Sequence, residues 1–273
     1  MSIVADLHTH TTVSDGTLTL ERLVRLANEA DLDAVAVTDH DRYHPKLSNP
    51  VERRPGVTVV RGIELRVEAG DQRLDLLGYG LEPTPELTAE IERIQQDRID
   101  RGRRIIENVE SHLGVDLEIE PREGLGRPHI ARAVVESDAD DDEFGAVFDD
   151  LIGENGPCFV SRNVPEFETG LALLEDACML VGLAHPLRYG DPEAALARAA
   201  DLDAVERYYP YDRPLSPDEP DALDPLPVEN AIAEHDLLAT GGSDAHEEEL
   251  ASDGLPALAW ERVREHLPEP VES

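Results

Sequence analysis

The stretch from Ser2 to Asp41, SIVADLHTHTTVSDGTLTLERLVRLANEADLDAVAVTDHD, decides the fold of this chain. Its opening, SIVADLH, reads as a strand, and residues 19–32 space their apolar side chains three and four apart, as an amphipathic helix does. Residues 33–40, DAVAVTDH, contain four consecutive apolar residues, which is typical of a strand covered on both faces. The order strand, helix, strand predicts a β-α-β unit with a parallel strand pair.

The alternation of strands and helices continues along the chain, with one interruption. Further strands are predicted within 56–65 and 73–81, and a long polar helix over 86–114 follows them. Strand and helix signals resume after residue 160 and end with a helix near 257–267. We therefore predict an α/β barrel, 1–82 with 161–273, that carries a helical inserted subdomain, 83–160.

The composition is strongly acidic and nearly free of lysine. The formal net charge is -36, from 60 acidic and 24 basic residues, and Lys46 is the one lysine. Hydrophobic residues still make up 40% of the chain, so the composition differs from that of a disordered acidic chain. It resembles cytoplasmic proteins of salt-accumulating halophiles, in which molar salt screens the repulsion. A nucleic-acid mimic or a solvating tail is the alternative interpretation, and long nucleic acid is a poor partner at this charge.

Other features of the sequence limit its location and its cofactors. No run approaches the roughly 18 apolar residues of a membrane span, and the N-terminus has no basic region followed by an apolar stretch, so we expect a cytoplasmic protein without membrane contact. Cys158 and Cys178 lie in apolar contexts without C-x-x-C spacing, and this predicts buried free thiols.

Histidine and carboxylate side chains concentrate where predicted strands end. Five of the ten histidines do so, and acidic residues accompany them; the set is His8, His10, Asp15, His40, Glu64, Asp75, His185, Asp244 and His246. In α/β barrels the carboxyl ends of the strands meet at one face. Residues two apart in extended chain point the same way. The pattern predicts a polynuclear metal site, and ligands of imidazole and carboxylate without thiolate suit Mn²⁺, Fe²⁺ or Zn²⁺.

The chain resembles a known family through several ordered motifs. They are DLHTHTTVSDGT at 6–17, AVTDHD at 36–41, GIEL at 62–65, GRPHIAR at 126–132, AHPLRYG at 184–190 and GGSDAH at 241–246. Together, over about residues 3–249, they are similar to the PHP family, named for polymerase and histidinol phosphatase. The resemblance implies a distorted (βα)7 barrel, two or three divalent metal ions, with Mn²⁺ favoured, and hydrolysis of phosphate esters.

The resemblance also implies which side chains bind each ion. The three implied ligand sets are His8, His10, Glu64 and Asp244; Glu64, Asp75 and His185; and Asp15, His40 and His246. Many relatives carry histidine where this chain has Asp75, which replaces a neutral nitrogen donor by an anionic oxygen. A metal-bound hydroxide is the expected nucleophile, so no side chain is assigned as one.

Two of these motifs, GRPHIAR at 126–132 and AHPLRYG at 184–190, most resemble one branch of the family. That branch includes nucleotide phosphatases and a 5′-to-3′ exoribonuclease. The substrate is then a phosphorylated small molecule, such as a nucleoside monophosphate or 3′,5′-bisphosphate, or a short RNA, and no stable protein partner is evident. The candidate phosphate-binding residues are Arg127, His129, Arg132 and Arg188, since guanidinium groups bind phosphate in a bidentate way. For Arg127 and Arg132 an ordinary ion pair at a helix start is the alternative.

Several interpretations stay open at this point. The arginines of RIDRGRR, residues 98–104, either select phosphorylated substrates or pair with neighbouring acids on a solvated face. His44 is either a proton donor or a loop residue without a catalytic task. Histidinol-phosphate phosphatase is an alternative activity, and a metal-binding regulatory module without turnover is an alternative function.

Overall fold

The computed structural model describes residues 2–122, 125–137, 145, 147–153, 156–217, 219 and 221–272. The chain divides into two compact units. The larger unit comprises Met1–Thr88 and Pro165–Ser273, and the smaller unit comprises Ala89–Val164. The predicted insertion, 83–160, shares residues 89–160 with the smaller unit, and its status as a separate domain stays a prediction.

The described residues of the larger unit form one ten-stranded sheet. Its strands are β1 (Ile3–Asp6), β2 (Ala34–Val37), β3 (Val51–Arg54), β4 (Val57–Ala69), β5 (Gln72–Tyr79), β6 (Leu180–Leu183), β7 (Ala204–Tyr208), β8 (Leu238–Gly241), β9 (Leu255–Pro256) and β10 (Val271–Glu272). Seven of them follow the order β8-β7-β6-β5-β4-β2-β1. The backbone N–H of Leu7, just after β1, donates to the carbonyl of Gly241 at the end of β8 (3.0 Å). This bond nearly closes the seven strands into a barrel, which confirms the predicted fold class.

Helices separate most strands of the larger unit. They are α1 (Leu20–Glu29), α4 (Phe167–Ala177), α5 (Pro192–Arg198), α6 (Leu226–His235) and α7 (Ala257–Arg264), with short 3-10 turns at Pro186–Arg188 and Ala199–Asp201. Helix α1 begins where the Thr19 hydroxyl accepts a hydrogen bond from the N–H of Arg22 (3.3 Å). Its apolar face, with Leu23 at its centre, is buried, which stabilises the unit by about 2 kcal/mol for that side chain alone.

Strand β2 shows why the continuous apolar run predicted a strand covered on both faces. Ala34 and Ala36 pack into the cluster that also contains Ala5 and Leu77. Val35 and Val37 alternate with them and pack into the cluster that contains the apolar face of α1. All four residues are buried, so this prediction is confirmed.

Strand β5 departs from the parallel arrangement that the strand-helix alternation predicted. It runs antiparallel to both β4 and β6. Ala69 pairs with Gln72 across a two-residue turn, in which Gly70 has a φ of +73°. Glycine adopts this conformation without steric cost, and a two-residue turn leaves no room for a crossover helix. The hairpin places Arg66 directly opposite Asp75.

The smaller unit is helical in its described residues, apart from connecting loops. It contains most of α2 (Pro85–Leu113), then α3 (Arg127–Glu136) and a π-helical turn (Val147–Leu151). Ile105, Val109, Ile130 and Val134 contribute to its apolar core. Residues 142–153, within the predicted helical insertion, lie partly outside the described residues.

Two smaller expectations also have an outcome. Both cysteines are free; Cys158 is buried, and burial raises the pKa of the half-buried Cys178 thiol to about 12. Within the described part of the chain, no helix has the length and apolar character that crossing a membrane requires.

Candidate metal centre

The barrel brings the ends of its strands together at one face. His8 and His10 follow β1, His40 follows β2, and His185 follows β6. Isolated parallel bridges join Thr9 to Ala245 and His40 to Glu64, so the segments beyond the strands stay in register. Strand topology therefore places residues that are up to 238 positions apart, from His8 to His246, within one cluster.

The side chains form three overlapping groups whose nitrogen and oxygen atoms lie within 4.8 Å of one another. The groups are His8, His10 and Glu64; Glu64, Asp75 and His185; and His10, Asp15, His40 and His246. Asp244 joins the first group through Oδ1, which is 3.4 Å from His8 Nε2 and 3.0 Å from His10 Nε2. All nine residues predicted as metal ligands thus lie in one cluster, and their role as ligands stays a prediction.

Glu64 is the common member of the buried part of the cluster. Its Oε2 lies 3.5 Å from His8 Nε2, 3.4 Å from His10 Nε2 and 2.7 Å from His40 Nδ1. Its Oε1 lies 3.1 Å from His185 Nε2. Four imidazoles therefore surround one carboxylate that is almost completely buried.

Asp15 is the carboxylate near the imidazoles on the solvent-exposed side of the cluster, as Glu64 is on the buried side. Its carboxylate lies 3.7 Å from His40 Nε2 and 3.4 Å from His246 Nε2. The other ring nitrogen of His246, Nδ1, donates to the backbone carbonyl of Asp244 (2.9 Å). That bond assigns the proton to Nδ1, so Nε2 presents a lone pair to the cluster.

Buried polar atoms of the cluster have no hydrogen-bond partner in the described structure. They include His8 Nε2, both ring nitrogens of His10 and Glu64 Oε2. Their short contacts with one another lack hydrogen-bond geometry, although unsatisfied buried polar groups are costly. Converging ring nitrogens and carboxylate oxygens are what Mn²⁺, Fe²⁺ or Zn²⁺ requires, so the residues fit a group of divalent cations.

The electrostatics of the cluster favour added positive charge. Burial would raise the pKa of Glu64, but the imidazoles of His40 and His8 hold it well below its usual value. Burial would lower the pKa of His8, but the carboxylates of Glu206, Glu64 and Asp244 hold it well above its usual value. Glu64 likewise raises the pKa of His40 to about 9, against the effect of burial. The negative field that attracts protons to these imidazoles also attracts metal cations.

Two buried aspartates fix the loops that carry the exposed ligands. Asp39 accepts hydrogen bonds from the N–H (2.7 Å) and hydroxyl (2.8 Å) of Thr11 and from the hydroxyl of Ser14 (2.6 Å). Asp6 accepts from the N–H (3.0 Å) and hydroxyl (2.6 Å) of Ser243 and from the N–H of Ala251 (2.9 Å). These bonds hold the two loops in place.

The backbone is strained at two candidate ligands. His185 has a φ of +28° and Asp244 a φ of +52°, in the left-handed region that non-glycine residues rarely adopt. Such conformations cost about 1 to 3 kcal/mol each and persist where the surroundings enforce them. The positions of these two side chains therefore depend on neighbours that hold the backbone.

Asp75 is engaged by an arginine that the sequence did not single out. Nε and Nη2 of Arg66 donate to its two carboxylate oxygens at 2.7 and 2.6 Å. Burial opposes ionisation of Asp75, but Arg66 lowers its pKa. Oδ2 also lies 3.7 Å from His185 Nε2, so Asp75 faces both the guanidinium and the cluster.

Two more polar residues, missed at the sequence level, contact candidate ligands. Glu206 of β7 is completely buried, with Oε1 3.1 Å from His8 Nδ1. The hydroxyl of Tyr209 donates to Asp244 Oδ2 (2.8 Å). A charged residue inside the otherwise apolar start of β7, AVERY, was the available signal for Glu206, but alternation alone does not show that it points to the cluster.

The four predicted phosphate-binding residues lie in different units. Arg188 belongs to the larger unit, and Nη1 donates to Tyr209 Oη (2.6 Å) and Asp244 Oδ2 (3.1 Å). Arg127, His129 and Arg132 begin α3 in the smaller unit. The guanidinium of Arg127 lies over the ring of a phenylalanine, and His129 Nδ1 accepts from the N–H of Gly126 (3.1 Å). Phosphate binding by all four stays a prediction.

The arginine-rich part of α2 makes local contacts. Arg103 pairs with Asp100 (2.6 Å), one turn earlier, and Arg104 lies 3.9 Å from Asp97. Nε of Arg101 donates to the carbonyl of Val160 (2.6 Å). The contacts of Arg103 and Arg104 support the interpretation as pairing with neighbouring acids, whereas Arg101 binds a backbone carbonyl distant in the sequence.

The fold and the cluster define a class of protein, an α/β barrel with histidine and carboxylate groups gathered at one face. The sequence profile of the PHP domain matches residues 6–144, just over half of the chain. The chain therefore belongs to the PHP-domain family, as its motifs predicted.

Individual relatives agree with this assignment. The chain is 28% identical over 192 residues to a 3′,5′-nucleoside bisphosphate phosphatase of Chromobacterium violaceum, with 67% of each protein covered. It is 27% identical over 261 residues to the 5′-3′ exoribonuclease Rnm of Escherichia coli, with 90% of this chain and 86% of the relative covered. These relatives are hydrolases of phosphate esters, and they confirm the prediction that this chain is an enzyme of that class.

A solved structure supports the fold independently. It is the crystal structure of a Bifidobacterium adolescentis protein described as a metal-dependent phosphoesterase, with a TM-score of 0.71 and 22% identity. The similarity covers 97% of this chain and 96% of that protein. At this identity the likeness establishes the shared fold alone.

Proposed function

We propose that the protein is a Mn²⁺-dependent phosphoesterase that hydrolyses nucleoside monophosphates, nucleoside 3′,5′-bisphosphates or the 5′ ends of short RNA. The observation that carries this proposal is the overlap of the three ligand groups through Glu64 and His10. Shared ligands would hold neighbouring cations close together, which is the arrangement that two-metal phosphoester hydrolysis uses. The two phosphate-ester hydrolases among the relatives support the substrate class.

The chain would hold the cations through the nine clustered side chains. When bound, divalent ions supply an activated water and neutralise the charge of the substrate phosphate. Burial of Glu64 and of His8, His10 and His185 around it excludes bulk water from this side, which would strengthen the electrostatic attraction between ligands and cations. The described hydrogen bonds of the strand ends keep the ligands positioned before substrate arrives.

Arg188 is placed to bind the phosphate of the substrate. Its side chain is 53% exposed, so a guanidinium face remains open to solvent while Nη1 contacts Tyr209 and Asp244. Its position beside Asp244, which in turn lies 3.0 Å from His10, puts a fixed positive charge at the edge of the cluster. A phosphate bound there would neutralise a guanidinium that is already oriented, so little side-chain entropy is lost.

The second candidate function, a metal-binding module without turnover, has one observation in its favour. Arg66 binds both oxygens of Asp75, so the cluster already contains a cation at one of its three ligand groups. If that charge replaces a metal ion needed for chemistry, the protein binds metal and hydrolyses nothing.

A substrate panel distinguishes these functions. The purified protein, in high KCl, is incubated with Mn²⁺ and with AMP, 3′,5′-bisphosphoadenosine, histidinol phosphate or a 5′-phosphorylated oligoribonucleotide, with and without chelator. We expect chelator-sensitive hydrolysis of at least one of the nucleotide or RNA substrates. Turnover of histidinol phosphate alone would support the alternative phosphatase, and bound metal without any turnover would support the module.

A further inference from the structure

Glu206 links two candidate metal ligands that come from strands on different sides of the barrel. His8 follows β1 and His185 follows β6, while Glu206 lies in β7. Its Oε1 and Oε2 lie 3.1 and 3.3 Å from His8 Nδ1, and Oε2 accepts a hydrogen bond from the backbone N–H of His185 (2.7 Å). All three residues are buried, so water does not replace these contacts.

The contact with His8 determines which ring nitrogen faces the cluster. A carboxylate accepts hydrogen bonds and donates none, so Glu206 requires a proton on Nδ1. Nε2 then keeps its lone pair in the metal-binding state, and it points toward Glu64 Oε2 (3.5 Å) and Asp244 Oδ1 (3.4 Å). This is the arrangement in which a second carboxylate orients a histidine ligand and increases its basicity.

The contact with His185 holds a strained backbone. The φ of +28° at His185 turns its N–H toward Glu206 and its ring toward Glu64, with Nε2 3.1 Å from Glu64 Oε1. Without an acceptor for that N–H, the strained backbone conformation of His185 loses a stabilising hydrogen bond. One carboxylate therefore supports both histidines.

We propose that Glu206 is a positioning residue of the metal centre, which presents Nε2 of His8 and Nε2 of His185 to Glu64 and the cations. This inference rests on the metal-dependent function proposed above. Glu206→Gln keeps the size of the side chain but replaces one acceptor oxygen by an NH2 donor. If the amide oxygen keeps the bond to the N–H of His185, the NH2 group faces His8 Nδ1, which favours the His8 tautomer with its proton on Nε2 and removes the lone pair from the cluster.

Glu52→Gln provides a matched control. Glu52 is also buried in a strand of the larger unit, and its Oε1 accepts from the backbone N–H groups of Ser48 (2.7 Å) and Asn49 (3.1 Å). Its described hydrogen bonds go to residues outside the cluster. The same chemical change there tests the effect of losing a buried carboxylate on the fold alone.

The experiment measures Mn²⁺ binding to the metal-free wild-type protein and to both variants, with free Mn²⁺ followed by its EPR signal and the fold checked by circular dichroism. We expect Glu206→Gln to weaken the tightest Mn²⁺ binding by about 10- to 100-fold, and Glu52→Gln to leave it unchanged. Binding by Glu206→Gln within about twofold of wild type would overturn the inference. A wild-type protein that binds no Mn²⁺ would overturn the proposed function as well, so the two failures are distinguishable.

A second measurement covers the case in which Glu206→Gln does not fold. The wild-type protein is loaded with Zn²⁺, which is diamagnetic, and its histidine ring protons are observed by NMR. We expect a proton on His8 Nδ1, assigned by its proximity to the protons of β7 and slow to exchange with water. Absence of that proton from the loaded protein would contradict the role of Glu206.

Discussion

The buried and the exposed sides of the ligand cluster are built differently. Glu64, Asp75 and His185 expose at most 7% of their side chains, whereas Asp15, His40 and His246 expose 24% to 48%. The carboxylate of Glu206 and the guanidinium of Arg66 contact ligands of the buried side. On the exposed side, hydrogen bonds to Asp39 and Asp6 hold the loops that carry the ligands. The difference indicates that protein contacts hold the ligands of the buried side more firmly than those of the exposed side.

We expect the largest loss of activity from a substitution at Glu64, because four imidazoles face this carboxylate. Glu64→Gln keeps the volume and removes the charge shared by two ligand groups. We expect hydrolysis to fall by about a hundredfold or more, beyond the usual effect of a residue that only supports a ligand. We also expect at least one metal ion fewer per chain by elemental analysis.

Excess metal provides the control for this variant. Because the lost charge lies on the buried side, added Mn²⁺ should restore little of its activity. Recovery to the wild-type rate in excess Mn²⁺ would show that the buried side is as adaptable as the exposed one, and the distinction between them would be wrong.

An intermediate effect is expected at Asp15, the acidic ligand on the exposed side. Asp15→Asn keeps an oxygen near His40 and His246 and removes the negative charge. We expect about tenfold weaker Mn²⁺ activation and nearly full activity at saturating Mn²⁺, since solvent can complete the coordination there. A Mn²⁺ titration of the rate measures this, and a variant that stays inactive at every concentration contradicts it.

Arg188 tests whether the exposed side also binds substrate. Arg188→Ala removes the half-exposed guanidinium beside Tyr209 and Asp244. Loss of a charged hydrogen bond predicts an increase of about tenfold or more in KM for the phosphorylated substrate. Arg188→Lys, which keeps the charge but not the planar donor pair, should give an intermediate KM. Equal KM values for all three proteins would exclude phosphate binding by this residue.

Much of the fold followed from local patterns, and the exception has a physical reason. The four apolar residues Ala34–Val37 predicted a strand covered on both faces, because burial on two sides removes the polar alternation. The parallel direction predicted for β5 was wrong, since the side-chain period is the same in parallel and antiparallel strands. The turn at Gly70 determines it, and only a turn too short for a crossover distinguishes the two arrangements.

The site was predictable in its residue types and less so in its supporting contacts. Histidines and acids after strands could be found because parallel strands deliver their carboxyl ends to one face. The pairing of Arg66 with Asp75 depends on the register of the hairpin, and the contact of Glu206 with His8 crosses the barrel interior. Such distances are properties of the assembled sheet, so no local spacing in the sequence reports them.

The smallest effect is expected at His44, in the loop that follows His40 on the exposed side. His44 is 4% exposed, and its Nδ1 accepts a hydrogen bond from the N–H of Lys46 (3.2 Å). This contact indicates a structural role for the side chain. We therefore expect His44→Gln, which retains an acceptor, to keep kcat within about twofold of wild type. That limit corresponds to ~0.4 kcal/mol in activation free energy. A large loss of kcat would instead make His44 the proton donor and extend the exposed side of the site to this loop.

The pH dependence of stability provides a second test of the burial of His44, with the same His44→Gln variant. Burial lowers the pKa of His44 in the folded protein, so the unfolded chain binds a proton more readily at this residue. Its contribution to stability is present above the unfolded pKa of about 6.5 and is lost as the pH falls through the lower folded value. In metal-free protein, the free energy of unfolding of His44→Gln should therefore decrease less than that of wild type between about pH 7 and about pH 5. Denaturant unfolding at the two pH values measures the difference. Equal decreases in the free energy of unfolding of the two proteins would contradict the prediction, because His44 would then have the same pKa in the folded and unfolded states.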